Sequence, residues 1–438
     1  MSNQWKNYGS TLLATSDDSS DVCDNMIVEH INHKGSNWTA YVNILCIVAG
    51  SGTLGIPYAI RQGGWISILL LILSAIMNVY ANTKLIECLY HNNVSRRTSI
   101  TEVAYDAFGN AGSGFVNFFF NATCIGAPIV YLILSGENFK KLFEDNFGID
   151  LGIGTWIFIC GGMMCVPYVM LKNMKEASWL SIFGALTTGL VVVVVFIASL
   201  MELPNNRDKE HQIINLRHMP IALATAFFSY GGNVVYPHVE ASMEHPKAWP
   251  KVLGLATFTI TFFYLLIGIS AYATYGDDTL SPIYKNLPAG LAVTISVIMI
   301  SIHVLMALPI YLTAFAIEVE DYLSINVATL GKNREFTYRA AIRILTLSFA
   351  ISIANVVPYF ADIMALIGAI SQGVLLIFMP IAIWIKLFGW DSINSWKEKL
   401  WVIFLLMFSV IVTFTGTILA IYDLYTDITD HKKMNHKA

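Results

Sequence analysis

The sequence predicts an all-α polytopic membrane protein with about eleven transmembrane helices. Three observations lead there. Of its 438 residues, 55% are hydrophobic and only 13% charged, with a mean hydropathy of +0.60, whereas soluble domains carry about 25% charged residues. Apolar segments long enough to cross a bilayer, roughly 20 residues each, recur along nearly the whole chain. The polar connections between them are short, and the main ones, 202–219 and 323–335, are too small to be soluble domains. A net charge of −4 gives no argument for nucleic acid as a partner. The partners expected are a lipid bilayer and a small molecule; the oligomeric state is left open.

Residues 1–37 are polar and mildly acidic, with Asp17, Asp18, Asp21 and Asp24 among serines, and read as a disordered tail rather than a signal peptide. Eleven spans follow, at 38–60, 65–90, 112–138, 152–171, 177–201, 220–244, 250–275, 289–322, 336–357, 359–387 and 398–423. They divide a single membrane domain, 38–425, into a first unit (38–201), a second unit (220–387) and an extra helix (398–423), with a C-terminal tail over 426–438. Lysine and arginine favour cytoplasmic loops. Arg96, Arg97, Lys172, Lys175, Lys247 and Lys251 share one side with the N-terminus, which places the N-terminus in the cytosol and the C-terminus opposite. In that topology the sequons at Asn37, Asn93 and Asn121 would not be modified, and they read as chance occurrences. All six cysteines except Cys23 fall in or beside apolar runs and read as small core residues rather than disulfides or metal ligands.

The first span does not continue as a plain apolar helix. "VAGSGTLGIPYAIRQGGW" (48–65) places Gly50, Gly52 and Gly55 within six residues and then Pro57. Glycine weakens a helix and proline breaks its ladder, and in hydrocarbon the freed backbone groups find no water. The sixth span repeats the oddity, with Gly231 and Gly232 in mid-span followed by Pro237. The offset between Gly50 and Gly231 resembles that between Trp65 and Trp249, which open spans two and seven. Spans 1–5 and 6–10 therefore read as two copies of one unit. Five is odd, so the second copy runs inverted.

Paired Gly/Pro-interrupted segments at matching places in two halves point to a transporter's midplane binding site. Each interruption creates half-helices whose N-termini offer unpaired N–H groups to a carboxylate and whose C-terminal carbonyls suit an ammonium or a cation. An α-amino acid carries both groups. A single glycine patch is also explained by close helix packing, and it is the matched pair that favours a ligand site.

The candidate substrate-binding residues follow from the two breaks. In the first span they are the backbone around Gly50, Gly52 and Gly55 with the hydroxyls of Ser51 and Thr53; in the sixth, Phe228, Ser229, Tyr230, Gly231 and Asn233. Tyr230 reads either as an aromatic gate or as a tyrosine packed against a neighbouring helix. Ionisable groups deep in a membrane are costly and mark function. Lys84, Glu87, Glu240, Glu318 and Glu320 sit near cytosolic ends and Asp362 near the opposite one, which suits gate ion pairs or snorkelling side chains. His303, about halfway along the eighth span, is the coupling candidate. It reads either as a proton-sensing imidazole or as a neutral, hydrogen-bonded core histidine. No paired carboxylates, His/Asp cluster or activated nucleophile appear at membrane depth, so no enzyme is expected. No cofactor or metal is expected either.

Four stretches carry a resemblance to a known family: "GSGTLGIPYAIRQGGW" (50–65), "FSYGGNVVYPHVEASMEHPKAWPKVL" (228–253), "AYATYGDDTLSPIYKNLP" (271–288) and "LIGAISQGVLLIFMP" (366–380). The chain resembles the amino acid/auxin permease family, and within it the fungal vacuolar and the vesicular inhibitory amino acid transporters. The resemblance implies the LeuT-like fold, five plus five inverted spans with an extra helix, and cation-coupled amino acid transport by alternating access. It favours protons over sodium as the coupling ion, and a vacuolar or lysosomal membrane over the plasma membrane. Leu308-Pro309-Ile310 departs from the Tyr-Pro-Leu that relatives often show, which puts that helix's cation role in doubt. A second reading is an amino-acid sensor on the same fold, which would bind without moving its ligand.

Overall fold

A computed structural model describes residues 35–92, 96–171, 180–325 and 327–435. The expected tail over residues 1–34, the sequon at 93–95 and Cys23 lie outside the described residues. Among the described residues, nine helices are long and apolar enough to span a bilayer, and a bent pair makes ten. The pair is α1 (Asn37–Val48) and α2 (Gly52–Gly63), which meet at 55° where the first span was expected to break. α3 (Ser67–Leu89), α4 (Ile100–Phe147), α5 (Ile153–Met170) and α6 (Leu180–Glu202) complete the first unit.

The sixth expected span is also in two pieces, α7 (Met219–Ser229) and the short α8 (Tyr236–Ala241), separated by six non-helical residues around Gly231 and Gly232. α9 (Trp249–Tyr275), α10 (Leu291–Tyr322) and α11 (Lys332–Val356) follow. The tenth span begins as α12 (Phe360–Ile367), widens into a π-helical stretch over Gly368–Phe378 and ends as α13 (Met379–Phe388). α14 (Trp396–Asn435) is the extra helix.

Three boundaries differ from the sequence expectation, one of them the end of α4, which runs to Phe147 and not to 138. α4 starts twelve residues before the expected 112, but Gly109, at φ 66°, splits off a first segment whose N-terminus Ser99 caps through its hydroxyl, 3.2 Å from the Glu102 N–H. α14 runs to Asn435, through most of the stretch assigned to a C-terminal tail, because no glycine or proline after Trp396 other than Gly416 interrupts it.

Packing brings the breaks together. α2 lies against α7, α9 flanks both α1 and α2, and the π-helical stretch packs on α7 and α14. Gly52 is needed at the α2–α7 crossing, since a Cβ there would stand 2.8 Å from Ser229 Cα. At one end the connection 203–218 folds over the α2–α3 turn. Trp65 and Ile66 N–H donate to Gln212 and Ile213 O at 3.1 Å, and Gly64 takes φ 79° with no room for a Cβ against Ile213 O. At the other end Arg96 Nη2 pairs with Glu240 Oε2 at 2.7 Å, and Tyr90 Oη donates to Glu240 Oε1 at 2.5 Å. Glu240 has no exposed surface, so this pair closes over the end of α8. Beside it, Gly35 exchanges backbone hydrogen bonds of 2.8 and 2.9 Å with Ser242 and Glu244. Other charged groups near that face are also paired: Lys84 with Glu87 at 3.1 Å, and Arg343 with Glu320 at 3.0 Å.

Candidate functional site

A small enclosed cavity lies between the two breaks. Ile47, Val48, Gly50, Ser51 and Gly52 supply one wall, Phe228 and Gly231 a second, and Thr123, Ala127, Tyr131, Tyr311 and Gln372 the remainder. Its volume is about 10 Å³, roughly the room for a single water molecule. An amino acid enters only if the walls part.

The break in the first span exposes backbone on both sides. α2 begins at Gly52, and its first N–H groups have no intrahelical carbonyl to reach. Those of Thr53 and Leu54 turn to Gly50 O and Ser51 O at 3.2 Å, which leaves Ser51 and Gly52 N–H at the cavity wall. The partial positive charge of a helix start adds to them.

The carbonyls that end α1 are held by side chains from three helices. Tyr264 Oη of α9 lies 3.1 Å from Val48 O, and Thr188 Oγ1 of α6 donates to Ala49 O at 2.5 Å. His303 Nε2 of α10 lies 3.2 Å from Cys46 O. Cys46 O has no hydrogen of its own, so Nε2 carries the proton in that contact. The opposite nitrogen, Nδ1, faces Thr188 Oγ1 at 3.4 Å. Thr188 spends its one hydroxyl proton on a carbonyl, Ala49 O or Gly184 O, and can accept from Nδ1. The site thus has an acceptor ready for a second imidazole proton.

Tyr264 joins the two breaks. Its hydroxyl also lies 2.6 Å from Ser229 O, the last residue of α7. A hydroxyl has one proton, so the two carbonyls compete for it. It is a side chain from a third helix that reaches both breaks.

Five of the ten residues expected from sequence line the cavity: Gly50, Ser51, Gly52, Phe228 and Gly231. The structure places the others behind it. Gly55 packs on Met364, whose Cε leaves no room for a Cβ. Ser229 Oγ donates back to Thr225 O at 2.8 Å, and Thr53 and Asn233 are buried. Tyr230 points to α9, where its hydroxyl meets Thr261 Oγ1 at 2.9 Å and its ring lies 5.5 Å from that of Tyr264. In this position the ring packs on α9 and does not line the cavity. His303 is buried beside the break but does not line the cavity.

Sequence reasoning missed Tyr264, Thr123, Tyr131, Tyr311 and Gln372. Gln372 carried a signal, being an amide between Ser371 and Gly373 inside an apolar span. The tyrosines carried none, because an aromatic in a membrane helix reads the same whether it packs or binds.

The model of the family described as "Transmembrane amino acid transporter protein" matches residues 33–428. The chain belongs to this family. The amino acid transporter AVT1J of Arabidopsis thaliana is 26% identical over 86% of this chain and 89% of its own. The vesicular inhibitory amino acid transporter of Xenopus tropicalis is 25% identical over 84% and 72%. Among solved structures, a Na+-coupled sialic acid symporter in a substrate-bound outward-open state superposes with a TM-score of 0.56 at 13% identity, covering 89% of this chain and 90% of its own. MhsT in complex with L-phenylalanine does so with 0.56 at 12%, covering 89% and 99%. The fold of this transporter-family member is therefore LeuT-like: a helical membrane protein with about eleven spans. It is not an enzyme, and it acts on amino acids as the family does.

Proposed function

We propose that this family member moves an amino acid by alternating access, coupled to protons, across an internal membrane of the vacuolar or lysosomal kind. The observation that carries the reading is the cavity between the two breaks. Ser51 and Gly52 N–H face it from one side and the α7 end from the other, with Tyr264 linking them. The N–H groups receive the carboxylate, and the carbonyls at the ends of α1 and α7 receive the ammonium. Moving α1 and α8 against the rest opens one end, and moving α2 and the 203–218 connection opens the other. The relatives named for vesicular amino acid transport favour an internal membrane, and the N-terminus is taken as cytosolic.

His303 is the proposed proton carrier. Its neutral form holds Cys46 O through Nε2, and its protonated form adds Nδ1 to Thr188, which itself holds Ala49 O. Protonation thereby tightens α1 against α6 and α10 at the break. Sodium, bound by the same carbonyls, is the alternative ion.

The test is uptake of a panel of labelled amino acids into proteoliposomes holding the purified protein. An acidic compartment on one side should drive accumulation that a protonophore abolishes, and a sodium gradient should not. Amino acid binding without flux under either gradient would overturn transport in favour of the sensor.

A further inference from the structure

The backbone donors and carbonyls at the breaks meet groups that every α-amino acid has. Discrimination between amino acids must come from side chains on the remaining wall. There, the Tyr131 and Tyr311 rings pack edge to face with centroids 5.9 Å apart. Thr123 Oγ1 gives its proton to Phe119 O at 3.1 Å and can only accept from Gln372, 3.3 Å away. That fixes which end of the Gln372 amide is Nε2. The other end, Oε1, is buried and has no hydrogen-bond partner among the described residues, on a residue only 2% exposed.

A buried orphan carbonyl is costly, and a native protein keeps one for a reason. The Gln372 amide is also held in place. It sits on the π-helical stretch, and a Cβ at Gly231 would stand 2.8 Å from Gln372 Cδ, so the sixth-span break presses directly on it.

We propose that Gln372 is a specificity-determining residue: its Oε1 accepts a hydrogen bond from a hydroxyl or amide on the substrate's own side chain. The inference rests on the amino acid transport reading and assigns the site a preference for side chains with a donor over apolar ones of equal size. A site built to pair with a substrate O–H rejects the analogue lacking it, because its own polar group is then left unpaired.

Threonine and valine have nearly the same shape and differ in that donor. Purified full-length protein is tested in two ways, by uptake of labelled threonine and valine into proteoliposomes and by the protection each gives against thermal unfolding in detergent. The unaltered protein should favour threonine in both. Gln372→Met should lower the threonine-to-valine ratio by about three- to tenfold, through threonine. Thr123→Val, which frees the amide to turn, should move the ratio the same way by less and guards against a first variant that folds poorly. Equal handling of threonine and valine by the unaltered protein, or an equal loss of both in Gln372→Met, would overturn the proposal. If the unaltered protein gives no flux of any amino acid, the transport reading falls, and the protection ratio still decides the role of Gln372.

Discussion

Tyr264 Oη stands 2.6 Å from Ser229 O while remaining 3.1 Å from Val48 O, so one phenol proton serves the broken backbones of two different spans. The three residues are far apart in sequence and meet only because α9 flanks the α1–α2 pair and α2 crosses α7. Removing the hydroxyl takes from Ser229 O its donor where lipid offers none, while Val48 O keeps the Gly50 N–H at 2.9 Å. An unsatisfied buried acceptor costs about 1–3 kcal/mol. Tyr264→Phe should therefore lose most amino acid uptake while keeping the helical circular dichroism signal, with a lower midpoint of thermal unfolding. Unchanged uptake would show that the shared proton is dispensable.

Gly52 and Gly50 should separate cleanly. A Cβ at Gly52 lies 2.7–2.8 Å from Ser229 atoms, backbone included, whereas a Cβ at Gly50 meets nothing within 4 Å. Overpacking of this kind costs about 1–3 kcal/mol. Gly52→Ala should lower thermal stability and abolish uptake, and Gly50→Ala should fold like the unaltered protein. Equal midpoints for the two variants would contradict the close crossing.

The Arg96–Glu240 pair makes a prediction about coupling between residues. Breaking a buried ion pair from one side costs about 3–5 kcal/mol, since the remaining charge stays uncompensated. Arg96→Ala and Glu240→Ala should each destabilise, and the double variant should lose clearly less than their sum. Additive midpoint shifts would mean the two act independently.

His303→Gln keeps an amide N–H able to reach Cys46 O but cannot titrate. If the imidazole carries the coupling proton, uptake by this variant should lose its dependence on an imposed pH gradient while binding of the amino acid persists. A pH profile parallel to that of the unaltered protein would remove His303 from the mechanism and return attention to sodium at the same carbonyls.

The spans and their breaks were legible in the sequence because both leave compositional traces: long apolar runs, and glycine or proline where hydrocarbon should forbid them. Gly50, Gly52 and Gly231 could be placed at the site for that reason. Tyr264 and Gln372 could not, because their partners lie far away in sequence and only the packing decides which way an aromatic or an amide faces. Tyr230 shows the reverse, an aromatic beside a break that turns to Thr261 instead of the cavity. The π-helical stretch, which packs on α7 and α14, left no trace either, since its residues read as part of one apolar segment.

The cavity at the crossing, at about 10 Å³, has an electrical consequence. A space that admits one water cannot hold a file of them, so neither ions nor hopping protons find a wet column there. In this conformation the packing at the crossing leaves no room for a continuous water column. A membrane protein packed in this way can be present in many copies without opening a wet path through the bilayer at that point.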